Sequence, residues 1–126
     1  MSEAKTEIID IDILRPEKKI VILGKKEIDV SFIPLAITFE VNDLLNKLVK
    51  IAGNNPNKIK DDLITTKEAL EVAVDLCVTF CSYKFPELDR KWFRENVDAY
   101  QMSKFVESLQ GSLQRAISGA DRYSKN

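Results

Sequence analysis

The chain has 126 residues, 19 of them Lys or Arg and 20 Asp or Glu, for a formal net charge of −1. That length suits one domain burying about two-thirds of its unfolded surface, and four Gly with four Pro are too few for a disordered or fibrous chain. The balanced charge argues against nucleic acid as a main partner, because duplex binding rests on an excess of Lys and Arg on one face.

Two further absences narrow the chemistry. There is no His, which removes Ser-His and Cys-His nucleophile pairs, imidazole acid–base catalysis and His-ligated zinc. There are two Cys, Cys77 and Cys81, so an all-Cys zinc site lacks half its ligands unless copies associate. Spaced four apart, they share a helix face, either as small apolar core residues or as a redox or intermolecular metal pair. The stretch Met1–Glu7 is polar and carries acids as well as Lys5, unlike a signal or transit peptide. No apolar run approaches the roughly 18 residues of a membrane span. These features lead us to expect a cytoplasmic protein with no membrane partner.

The first third reads as β. Ile9, Ile11 and Ile13 alternate with Asp10 and Asp12, the period of a half-buried strand with its carboxylates facing water. Arg15-Pro16-Glu17-Lys18 turns the chain, and Ile20-Val21-Ile22-Leu23 then runs apolar on both faces, as in a central or doubly covered strand. Gly24-Lys25-Lys26 forms a second turn, and Ile28, Val30 and Phe32 alternate with Asp29 and Ser31 as a third strand. Such a small sheet needs helices to cover its apolar face.

Pro34 ends the sheet and can start a helix. Ile37, Val41, Leu44, Leu45, Leu48, Val49 and Ile51 recur at helical spacing until Gly53-Asn54-Asn55-Pro56-Asn57 stops them. Residues 53–64 read as a polar loop in which Lys58 and Lys60 are solvated, or contact phosphate or an acidic partner. Thr65-Thr66-Lys67-Glu68 matches a capping box with Thr65 as the cap. In the helix that follows, Glu68, Glu71, Asp75, Thr79 and Ser82 form one narrow polar stripe, and the rest of 69–81 is apolar. A helix apolar over most of its circumference is either the central helix of the domain or one that also contacts a second protein. The acids of the stripe read as a solvated face; no ligand-dense loop accompanies them.

Asp89 caps a short helix carrying Trp92 and Phe93, a pair that serves as a binding hot spot or docks into the core. Asp98, with Gln101, caps a last helix whose apolar stripe is Met102, Phe105, Val106, Leu109, Leu113, Ala116 and Ile117. Gly111 interrupts it, marking close packing or a hinge, and Gly119 ends it. The expected fold class is thus α+β: a small N-terminal antiparallel meander of about three strands, then a bundle of three to four helices. One domain spans 1–126, with 1–7 disordered, 8–33 forming the sheet part, 34–119 the helical part and 120–126 frayed.

No Gly-rich phosphate loop, nucleophile elbow or Cys-x-x-Cys is present, and the aromatics do not interleave with basic residues. The last helix carries Lys104 and Arg115 against Glu107, a poor recognition helix for DNA. A non-enzymatic protein without metal or cofactor is expected.

The order Leu23-Gly24-Lys25-Lys26-Glu27-Ile28, Phe32-Ile33-Pro34, Phe85-Pro86-Glu87-Leu88-Asp89, Trp92-Phe93 and a helix from Asp98 resembles the tail assembly chaperones of long-tailed, siphovirus-like bacteriophages and prophages, the counterparts of the lambda tail assembly protein G. Residues 85–110 carry the best match. The resemblance implies a non-structural helper that binds the tape measure protein, keeps it soluble and brings tail tube subunits to it, with self-association left open. It implies no catalytic residue. A holding chaperone needs apolar surface, for which Trp92, Phe93, Leu109, Leu113 and Ile117 are the partner-binding candidates. The alternative from another class is a tail completion or connector subunit retained in the particle.

Overall fold

Two strands and four helices form among residues 6–51 and 66–118, the part of the chain that the computed structural model describes. The expectations for the loop 53–64, including Lys58 and Lys60, and for residues 1–5 and 119–126 fall outside them.

The hairpin follows from its turn. Strand β1 (Ile20–Leu23) pairs antiparallel with β2 (Lys26–Asp29), with Leu23 opposite Lys26 and Val21 opposite Ile28. Only Gly24 and Lys25 lie between, at φ of 57° and 67°. Positive φ at both positions matches the right-handed twist of the strands, and Gly takes it without steric cost. Leu23 and Ile28 are buried on the inner face, while Ile20 and Ile22 lie on the outer face and are exposed. The apolar run 20–23 is therefore covered on one side, not both.

The expected first strand does not form. Ile11–Leu14 makes a 3-10 turn, whose Asp10 carboxylate accepts from the Asp12 amide at 3.1 Å. A short Asp side chain offers the backbone this local bond in place of a ladder. The third strand also ends early. Val30 N–H still donates to the Lys19 carbonyl, but the Asp29 carboxylate then accepts from both the amide and the hydroxyl of Ser31 and turns the chain. The sheet has two strands in place of about three. The α+β class stands, with the sheet part preceding the helices.

Helices α1 (Leu35–Ile51), α2 (Lys67–Cys81), α3 (Arg90–Asn96) and α4 (Ala99–Ser118) build the rest. The α2 cap is Thr66, one residue later than Thr65, and its hydroxyl accepts from the Ala69 amide at 3.1 Å. Asp89 caps α3 through the Trp92 amide at 2.9 Å. Asp98 and Gln101 exchange the two bonds of a capping box at 2.8 and 2.9 Å before α4. Helix α2 is the central helix. It buries Ala69, Val72, Ala73, Val74, Leu76, Cys77, Phe80 and Cys81, packing on α1, α4 and α3. Its breadth of apolar surface is consumed inside the domain. The hairpin closes one end: Val30 and Ile33 are buried, and the Ser112 hydroxyl of α4 donates to the Val30 carbonyl. Gly111 is exposed, and a methyl group there would meet nothing within 4 Å. Its solvent-facing position needs no close packing.

Candidate functional site

Three of the residues expected to bind a partner are core residues. Phe93, Leu109 and Leu113 are all buried, each at 2% exposure or less. Their helices present these side chains inward, so the expected surface is not there. Trp92 is half-buried. Its ring lies edge-on to Phe93, with centroids 5.1 Å apart, and its benzo edge covers Gly24. It fastens the hairpin to α3, and the Lys26–Glu87 ion pair at 2.9 Å ties the hairpin to the turn before that helix. Ile117, at the far end of the α4 stripe, is 50% exposed. It alone of the five remains largely open to a partner.

Glu68 of the polar α2 stripe is exposed as expected, while Glu71 and Asp75, still partly solvated, also have a structural task. Arg90 of α3 donates to both Asp75 and Glu71, and Arg94 donates to the second Glu71 oxygen. The charges recur one α2 turn apart and meet arginines four apart on α3, so the two faces match like forks. The Arg94 hydrogen bond, with the charges of Arg94 and Arg90 behind it, holds the Glu71 carboxyl below its ordinary 4.5 against desolvation. A depressed folded-state pKa gives stability that is present above the unfolded value and is lost as pH falls through the folded one. Glu71→Gln should therefore lower the melting temperature at neutral pH. Titrating both proteins by thermal circular dichroism, we expect the gap to close as pH drops below 4.5. A gap independent of pH would mean that the carboxylate charge contributes nothing.

The cysteines are inert packing residues. Burial pushes the Cys81 thiol up to about 12 and the fully buried Cys77 thiol up as well. The Cys77 thiol points at Met102 Sδ at 3.1 Å, and neither Cys is in a disulfide. A buried thiol this far from ionisation is neither a nucleophile nor a ready metal ligand. Among the described residues no group of His, Cys, Asp and Glu is placed to hold a metal ion.

What the surface does offer is apolar. Helix α1 turns Ile37, Val41, Leu45 and Leu48 into the core. Leu35 and Phe39, four apart, fall on the opposite face and are 81% and 65% exposed. Thr38 fixes the start of the helix, its hydroxyl donating to the Pro34 carbonyl at 2.9 Å. Across from them lie Ala116 and Ile117 of α4, and the four line a shallow groove of about 300 Å³ whose floor is Phe32 and Ile33. Arg15 covers the Phe32 ring at 3.9 Å, and Arg115 on the rim donates to the Leu14 carbonyl at 3.3 Å. A larger cleft of about 580 Å³ adjoins the same Arg115, lined by residues 13–19, Ser31 and the Gly111–Ser112 turn of α4. It is mainly polar.

Leu35 and Phe39 were legible as candidates. They are large apolar residues that fall off the 37–41–45–48 stripe, which a helix of this domain has no internal reason to carry. Attention to the stripe itself hides them. No protein-family model, no curated protein and no solved structure matches this chain. The groove thus has to be read from its own chemistry.

Proposed function

We propose that this is a non-catalytic tail assembly chaperone of a phage or prophage, acting in the bacterial cytoplasm on the tape measure protein and helping to recruit tail tube subunits. The observation that carries the reading is the groove of Leu35, Phe39, Ala116 and Ile117. Its aliphatic and aromatic walls, at i, i+4 spacing on α1, suit the apolar face of an amphipathic partner helix. The sheet-first order with Pro86-Glu87-Leu88, Trp92 and a last helix supports it by resemblance. No helix among the described residues is long and apolar enough to cross a membrane, in keeping with work on a dissolved partner.

The test is co-expression with a tape measure protein encoded beside this chain, scoring soluble partner and its co-purification. Phe39→Asp alters an exposed residue, so the fold should change by no more than about 0.5 kcal/mol. We expect partner recovery to fall roughly tenfold, the equivalent of about 1.4 kcal/mol of binding. A partner equally soluble without this protein would sink the reading. Mass spectrometry of purified particles adds a second arm. The chaperone should be missing, whereas a completion or connector subunit would be found in stoichiometric amount.

A further inference from the structure

The outer edge of β1 and the segment Glu7–Ile13 are complementary surfaces, and both face solvent. In β1, Lys19 and Val21 bond toward β2, so the N–H and C=O groups of Ile20 and Ile22 point away from it. The side chains of Ile20 and Ile22 are 45% and 70% exposed. An exposed apolar edge of this kind is a template for one more strand. The edge is bracketed by Lys18 and Lys19 before it and Lys25 after it, all exposed.

Glu7-Ile8-Ile9-Asp10-Ile11-Asp12-Ile13 has the matching character. Its alternating pattern is that of a strand, and its carboxylates oppose the lysines of the edge in sign. Its four isoleucines are 68–83% exposed. Within its own chain the segment is not laid along β1. Leu14 is tied to Arg115 of α4, Arg15 lies over Phe32, and the residues before them curl into the 3-10 turn. Pairing β1 with β1 of another copy would fill the same edge but leave Ile8, Ile9, Ile11 and Ile13 as exposed as they are now.

We propose that residues 8–13 of one copy add as a strand to the outer edge of β1 in a second copy, and reciprocally, to give a homodimer with exchanged segments. The arrangement pairs the free edge groups of Ile20 and Ile22, sets isoleucines of both partners side by side along the seam and brings Glu7, Asp10 and Asp12 near Lys18, Lys19 and Lys25. It does not depend on the chaperone reading.

Light scattering across a concentration series should give twice the 14.4 kDa of the chain. Ile11→Lys and Ile22→Lys change exposed residues, so native circular dichroism should persist while the dimer dissociation constant rises at least about tenfold. Mixing decides which copy supplies the strand. Ile22→Cys protein is oxidised together with Ile9→Cys, Ile11→Cys or Ile13→Cys protein, against a silent background, because Cys77 and Cys81 are buried. At least one mixture should give a mixed disulfide dimer beyond what either variant forms alone. A monomer at every concentration overturns the proposal. So does a doubly substituted chain, such as Ile11→Cys with Ile22→Cys, that closes its disulfide within one molecule, since the segment would then pair with its own strand.

Discussion

Leu109→Asp should leave this protein unfolded at 25 °C. Leu109 is 1% exposed on α4, in the same core as Met102, Phe105, Val106 and Leu113. Losing the leucine side chain costs about 2–5 kcal/mol by itself. A carboxyl in its place has no described partner and adds several kcal/mol more, whether it ionises there or stays protonated. A domain of this size has a total of about 5–15 kcal/mol to lose. Far-ultraviolet circular dichroism of the purified variant, or its solubility on expression, reads the outcome. Ile117→Asp is the control, eight residues along the same helix but half-exposed, and it should fold like the parent. The pair separates two readings of one apolar stripe. If Leu109→Asp kept a native spectrum and lost only partner binding, the residue would be surface after all, and the packing described above would be wrong.

Gly24→Ala should cost about 2–5 kcal/mol, from two separable terms. The position sits at φ 57°, where a β-carbon costs about 1–2 kcal/mol. That β-carbon would also overlap Cζ2 and Cη2 of Trp92, and relieving such overpacking adds about 1–3 kcal/mol. At roughly 4 °C per kcal/mol for a chain of this length, the melting temperature should fall by about 8–20 °C. In a Trp92→Leu background the overlap is reduced, so the same substitution should cost only about 1–2 kcal/mol, the backbone term alone. Equal costs in both backgrounds would show that the indole does not hold the hairpin turn. The cycle also assigns Trp92 a task. Sequence alone left it between a hot spot and a core anchor, and the contact with Gly24 makes it the clamp between sheet and α3.

The sequence by itself determined whatever is settled within a few residues. The two-residue turn at Gly24-Lys25, the caps at Asp89 and Asp98 and the spans of α1, α2 and α4 are local bargains between side chain and backbone. Each could be read from a short window. The α+β class follows from their order. Tertiary structure decided which apolar residues are covered. Ile9, Ile11 and Ile13 have a strand's period, yet Ile11–Leu14 closes a 3-10 turn through the Asp10 carboxylate and all three isoleucines stay exposed. Ile20 and Ile22 look as buried as Val21 and Leu23 until the hairpin is seen to have one covered face. Leu109 and Ile117 share a stripe, but only the first lies under another helix. Leu35 and Phe39 lie off the core stripe of α1 and stay exposed, because no other described element packs on that face. Periodicity tells which residues share a face; burial depends on what packs against that face, and this is set by residues far away in the chain. For the same reason the acids of α2, a solvated stripe on paper, became the seat of α3 once Arg90 and Arg94 were brought across to them.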